Sequence, residues 1–137
     1  MNLTLSRLSL AKVTGNSAIF TGARMKTVFE NSRVSNSFVP FYSSFFQNIA
    51  CFRNLELKRF LSTAIYVSAD NEYNNAFYSS RLKIEKKSSL FIISCTFSEC
   101  TSIDKKGGSL YVFGTNTTLV ASDFLFSKAR SSGAFEL

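Results

Sequence analysis

Two short blocks recur in fixed order along this 137-residue chain, and their recurrence constrains the fold more than any single residue does. The first is a small-residue step running into an apolar strand: Ser17-Ala18-Ile19-Phe20, Thr63-Ala64-Ile65-Tyr66-Val67, Gly108-Ser109-Leu110-Tyr111-Val112 and Gly133-Ala134-Phe135-Glu136-Leu137, with Asn75-Ala76-Phe77-Tyr78 a weaker copy. The second sets a Phe ahead of polar residues: Val28-Phe29-Glu30-Asn31, Phe45-Phe46-Gln47-Asn48, Thr96-Phe97-Ser98-Glu99-Cys100 and Leu125-Phe126-Ser127-Lys128-Ala129. Like blocks at steps of roughly 20–30 residues are the mark of a solenoid, whose units cannot bury an apolar face alone and do so by stacking.

The clearest self-match pairs Leu90–Cys100 with Leu119–Ala129, placing Phe97 with Phe126 and Cys95 with Phe124. Phe29, Phe46, Phe97 and Phe126 are unevenly spaced, and the long step from Phe46 to Phe97 reads as two turns. These four Phe residues are the expected inward ladder. In a strand, residues i and i+2 share a face, so Cys95 and Phe97 point inward while Ser94, Thr96 and Ser98 point out. Gly107, Gly108 and Gly133 suit corners that need positive φ or close backbone approach. Asn31 and Asn48 are expected at turns, where Asn tolerates the left-handed region.

Fifteen Phe and five Tyr against one Pro, with charged residues at only 18%, favour pleated, half-buried surfaces over disorder. The expected fold class is all-β: residues 1–137 as a single β-solenoid domain, complete or truncated, with the repeats clearest over 88–137. An antiparallel β-sandwich is the alternative, since short strands with turn signals suit it too. The stretch Phe41 to Lys58 also carries enough Phe, Leu and Ile for one local helix.

The pairing of Gly-Gly-Ser-Leu-Tyr-Val at 107–112 with Phe-Ser-Glu-Cys at 97–100, and of Ser-Gly-Ala-Phe-Glu-Leu at 132–137 with Phe-Ser-Lys-Ala at 126–129, resembles the GGAI and FxxN repeats of polymorphic outer-membrane proteins. Similar repeats occur in right-handed β-helix surface proteins of some protists. The resemblance covers residues 88–137 well, 15–67 less closely and 68–87 weakly. Only one Gly-Gly pair is present; Phe45-Phe46-Gln47-Asn48 fits FxxN, and at Phe29-Glu30-Asn31 the Asn is shifted by one. The resemblance implies a right-handed parallel β-helix and a surface or adhesive role, in the wider company of pectin-lyase-like folds.

The chain carries a net charge of +7 with a pI near 9.5, which keeps an anionic partner in view. The cations are scattered in short polar stretches: Arg53, Lys58 and Arg59; Arg81, Lys83, Lys86 and Lys87; Lys105 and Lys106; Lys128 and Arg130. Solvated loops and protected strand edges account for that scatter better than a designed anion site. Lys83, Lys86 and Lys87 beside Tyr78 form at most a small patch, so nucleic acid is not the expected partner.

Cys51, Cys95 and Cys100 are an odd number without a CxxC pair, and the chain has no His, which excludes Cys/His zinc sites. Stacked buried thiols are expected; a Cys95–Cys100 bridge, or one from Cys51 to a neighbouring coil, is the alternative. The start Met1-Asn2-Leu3-Thr4-Leu5 alternates apolar and polar residues and does not read as a signal peptide. The longest apolar run, Leu90-Phe91-Ile92-Ile93, is too short for a membrane span. Localisation stays open: cell surface or extracellular for a fragment of an exported protein, cytoplasmic otherwise. The sequons Asn2-Leu3-Thr4 and Asn116-Thr117-Thr118 matter only on export.

No catalytic, cofactor-binding or metal-ligating residue set is expected, and the chain reads as a non-enzyme without a cofactor. Glycoside hydrolysis needs two facing carboxylates; Asp70 and Glu72 are the nearest pair, in a turn-like stretch better read as a solvated loop. Asp104, ahead of two lysines and the Gly pair, reads as a corner. Arg81-Leu82-Lys83-Ile84 faintly resembles a polygalacturonase-like element, without that family's Asp- and His-containing motifs. The expected function is a structural or adhesive β-helix module contacting glycan or protein, with self-association through open solenoid ends. The alternatives are a remnant of a pectin-lyase-like enzyme and a basic domain for an anionic polymer.

Overall fold

Buried and outward-facing residues alternate through both Lys26–Ser37 and Ile49–Phe60, with a break at each corner, and both segments form strands in the computed structural model. The structure describes residues 2–21, 25–44, 48–68, 88–113, 115–131 and 133–136. In chain order the strands are β1 (Asn2–Ser6), β2 (Ser9–Ala11), β3 (Ile19–Thr21), β4 (Lys26–Ser37), β5 (Tyr42–Ser44), β6 (Ile49–Phe60) and β7 (Ile65–Ser68). They continue with β8 (Ser89–Ile93), β9 (Thr96–Ser98), β10 (Thr101–Lys106), β11 (Leu110–Phe113), β12 (Asn116–Val120), β13 (Asp123–Leu125), β14 (Lys128–Ser131) and β15 (Phe135–Glu136).

β1, β4, β6, β8 and β12 stack in that order; β2 beside β4, and β9 between β6 and β13, extend the same sheet beyond a bend. β3, β5, β7, β11 and β15 form a second sheet, and β10 with β14 a short third. Every pairing among these strands is parallel. The chain is a β-solenoid of about four turns, and the sandwich alternative falls because it needs antiparallel neighbours. The described residues contain no helix; the span 41–58 supplies β5 and most of β6 instead.

The first block marks the second sheet. Ile19, Tyr42, Ile65, Leu110 and Phe135 stand in one register column, each at the end of a small-residue step or, at Pro40-Phe41, of a variant of it. Asn75-Ala76-Phe77-Tyr78 lies outside the described residues.

The Phe ladder needs correction. The columns of the first sheet are Leu5, Phe29, Phe52, Ile92, Leu119 and, beyond the bend, Leu10, Val34, Leu57, Phe97, Phe124. Phe97 therefore stacks on Phe124 and not on Phe126. Phe126 is 81% exposed because it sits at a corner with φ of 53° that turns its side chain outward. Phe46 lies outside the described residues. The long interval is also a single turn: Ile49 pairs directly with Ser89, so β6 and β8 are successive levels.

Two corners give the solenoid its bend. Arg7, Asn31, Asn54, Ser94 and Ala121 occupy one left-handed column, and Lys12, Asn36, Arg59, Glu99 and Phe126 the other. Such backbone costs a non-Gly residue about 1–2 kcal/mol, so the column must be stabilised from outside. Part of that comes from keeping the corner N–H groups in the ladder: Arg7 donates to the Glu30 carbonyl, Lys12 to Ser35, Ser94 to Val120 and Glu99 to Leu125. Asn31 stands in this column as expected, and Asn48 does not.

Inside, Phe29, Phe52, Phe41 and Tyr42 form one aromatic cluster bridging the two large sheets. Phe29 and Phe52 stack at 5.1 Å, and Tyr42 meets Phe52 edge-on at 5.2 Å. Gly107 and Gly133 take positive φ, as expected at corners. Gly108 has a different role: a Cβ there would collide with the backbone of Lys128 and come within 2.8 Å of the Cys100 carbonyl oxygen.

Candidate functional site

Beyond the bend, alternate residues of β2, β4, β6, β9 and β13 face outward in columns. One runs Ser9, Arg33, Glu56, Thr96, Asp123, and the next Ala11, Ser35, Lys58, Ser98, Leu125. Successive levels of a sheet lie about 4.8 Å apart, so these columns form a regular polar grid. Over the first three levels the grid is dished into a shallow groove of about 310 Å³, with Ser9, Arg33, Ser35, Glu56, Lys58 and Arg59 around it.

The charges in the groove are tied across levels. Arg33 Nε lies 3.1 Å from Glu56 Oε2, and Arg59 Nε 3.1 Å from Glu99 Oε2. Both pairs are exposed, so each contributes at most about 1 kcal/mol to stability; their effect is to hold two guanidinium planes in place. A parallel tie joins the exposed corner amides, Asn54 donating to Asn31 at 3.2 Å. Hydroxyls, guanidinium groups, an amide and an ammonium in one shallow trough can hold a polar surface by hydrogen bonds. Glu56 is the one carboxylate lining it, and Arg33 occupies that carboxylate.

Asn48 belongs to a buried network at the opposite corner. Its side chain donates to Thr21 Oγ1 at 3.1 Å and Ser44 Oγ at 2.7 Å, and accepts from the Met25 backbone at 2.9 Å. Ser88 hydrogen-bonds the Asn48 backbone, and Thr115 donates to Ser88. Tyr42 closes the group through Thr21, 2.8 Å away. Met25, Asn48, Ser88 and Thr115 thus line one corner level by level, a structural role in place of the left-handed turn expected for Asn48.

The three cysteines are free thiols. Cys95 and Cys100 each follow a left-handed corner and point inward, where the sulfur approaches the carbonyl two residues back, Ile93 or Ser98. Each also reaches a carbonyl of the level below, Phe52 or Leu57. Ser32 and Ser122 make the same bond to Glu30 and Val120, so Ser and Cys serve alike as corner donors. Burial raises the Cys95 thiol pKa and pushes that of Cys100 up to about 11, which keeps both protonated and unsuited to nucleophilic work. On the outside of the second sheet Tyr66 and Tyr111 stack at 4.9 Å; burial, then Tyr111, raises the Tyr66 pKa.

Comparison with known proteins returns no match. No family model, curated protein or solved structure corresponds to this chain. The likeness to GGAI and FxxN repeats therefore rests on the blocks alone.

Of the candidates read from the sequence, Asp70, Glu72, Tyr78, Arg81, Lys83, Lys86 and Lys87 lie outside the described residues. Asp104, Lys105 and Lys106 belong to β10, a strand and not a corner. Lys58 and Arg59 are brought together with Arg33 at the groove; the sequence reading missed Arg33 and Glu56. Their signal was present as opposite charges at positions 33 and 56, which one turn of this solenoid brings side by side. Among the described residues no group of three or more Cys, Asp or Glu could hold a metal ion, and no helix is long and apolar enough to cross a membrane.

Proposed function

We propose that this chain is a non-catalytic contact module whose polar outer face, beyond the bend of the first sheet, holds a glycan or a protein surface. The observation that carries the reading is the groove itself: a repeating grid of hydroxyl, guanidinium and ammonium groups on a rigid parallel ladder. Extended polymers suit such a face because the solenoid repeats its contacts at a fixed spacing. Of the two partners, a hydroxyl-rich glycan matches the dish and its mixed donors and acceptors more closely. A surface or adhesive setting, and kinship with pectin-lyase-like folds, belong to the same proposal, as does self-association through the solenoid ends.

The test is calorimetric titration of the 137-residue chain with a panel of neutral and uronic-acid polysaccharides. Binding should weaken about tenfold or more in an Arg33→Ala, Lys58→Ala double variant and stay unchanged in Thr118→Ala, on the other half of the sheet. Absence of binding across the panel, or equal binding by the double variant, overturns the glycan reading. Release of new sugar ends on incubation would overturn the non-catalytic part. The net charge of +7 favours a second reading, an anionic polymer, for which affinity should fall steeply with salt.

A further inference from the structure

We propose that folded copies of this chain stack head to tail, the last level of one copy pairing with the first level of the next. This rests on and deepens the self-association named with the proposed function, and stands independently of the glycan reading. Among the described residues β1 and β2 pair only with β4, β12 only with β8, and β13 only with β9, so each end level carries one unpaired edge. The inward columns are incomplete in the same places. Phe29, Phe52 and Ile92 are fully buried in the middle levels, while Leu5 and Leu119 at the ends of that column are only partly buried. Leu10 and Phe124 end the neighbouring column in the same way.

The two ends fit each other because they are cut from the same lattice. Continuing the register past Val120 places Leu5 on Leu119, Leu10 on Phe124, and the left-handed corners Arg7 and Lys12 on Ala121 and Phe126. No like charges meet in these columns: Ser9 faces Asp123, and Lys12 faces the exposed Phe126 ring, a favourable cation–π partner. Pairing two first levels would be far worse. Residues 2–21 contain Arg7 and Lys12 and no acidic residue, and a two-fold arrangement would reverse the strands and put the corners out of step. A head-to-tail contact does not close, so it yields an open series of oligomers.

Sedimentation velocity over a concentration series tests this. The 137-residue chain should show a growing ladder of species. Ala121→Arg with Phe126→Lys, both at exposed corners, should weaken association by about tenfold or more through like charges facing Arg7 and Lys12. Adding Arg7→Glu and Lys12→Glu to the same chain should restore it. Hydrogen exchange on the unaltered chain provides a reading that needs no variant: amides of β1 and β12 should gain protection with concentration, and those of β6 should not. A chain that stays monomeric, a closed dimer that does not grow, undiminished association of A121R/F126K, or unchanged protection at β1 and β12 would each overturn the proposal.

Discussion

Phe97 lies flat on Phe124, ring centroids 4.8 Å apart and planes within 6°. Phe29 lies on Phe52 in the same manner, at 5.1 Å and 10°. The two stacks occupy different columns of one sheet, on either side of the corner formed by Asn31, Asn54, Ser94 and Ala121. Such stacks contribute about 0.5–1.5 kcal/mol each beyond their buried area, and each matches the register of the backbone pairing at its level.

Phe97 and Phe126 should respond oppositely to the same substitution. Phe97→Asp buries a charge in a fully enclosed position and should abolish folding, read as loss of the β signal in far-UV circular dichroism. Phe126→Asp, at an exposed left-handed corner that Asp tolerates better than Phe, should change stability by no more than about 0.5 kcal/mol. Equal sensitivity at both positions would contradict the register.

Asn48→Leu should destabilise by about 2–4 kcal/mol in urea unfolding. It leaves the Met25 N–H without its acceptor and removes the bonds to Thr21 and Ser44, and a donor left unpaired inside costs more than a hydrogen bond contributes. A loss no larger than that of an exposed strand Asn, such as Asn116→Leu, would remove the network from any structural role.

Thr27→Val should stabilise by about 1 kcal/mol. Thr27 is fully buried and its hydroxyl has no hydrogen-bond partner, so the substitution removes a desolvated polar atom while keeping the shape. A lower unfolding midpoint in the variant would mean the hydroxyl has a partner in solution.

Stability should fall in alkali through Cys100. Its thiol is raised from 9.0 to about 11 on folding, so the protonated form favours the folded state. That contribution is complete below pH 9 and is lost as pH rises towards and through about 11, amounting to about 2–3 kcal/mol. Cys100→Ser keeps a donor that does not titrate in this range, and its stability curve should be flatter from pH 9 to 11. Parallel curves for the two proteins would contradict the burial of the thiol.

Much of the fold was legible because inward residues alternate and recur. The small-residue steps at 17, 63, 108 and 133 all entered the second sheet, and Cys95 and Phe97 both point inward as their spacing required. The Phe ladder was misaligned because Phe126 resembles Phe97 in its local sequence, Phe-Ser followed by a charged residue, while one stands in a strand and the other at a corner. Nothing in so short a motif separates those positions. The groove was half legible: Lys58 and Arg59 stood out as cations, but Arg33 and Glu56 acquire meaning only once the turn length is known.

Local sequence by itself determined that this chain is built of short β-strands in recurring blocks, because β-forming residues and recurrent small-residue steps act over short stretches of chain. That the strands pair in parallel was decided by the structure. The tertiary structure alone decided the register. Its successive turns run from Leu5 to Phe29, Phe29 to Phe52, Phe52 to Ile92 and Ile92 to Leu119, and they are unequal in length. That inequality decides which Phe is buried and which charges meet. Register is a property of levels packed on one another: slipping one level along the next by a single pleat leaves every strand's own pattern of faces intact, yet moves Phe124 off Phe97 and Glu56 away from Arg33.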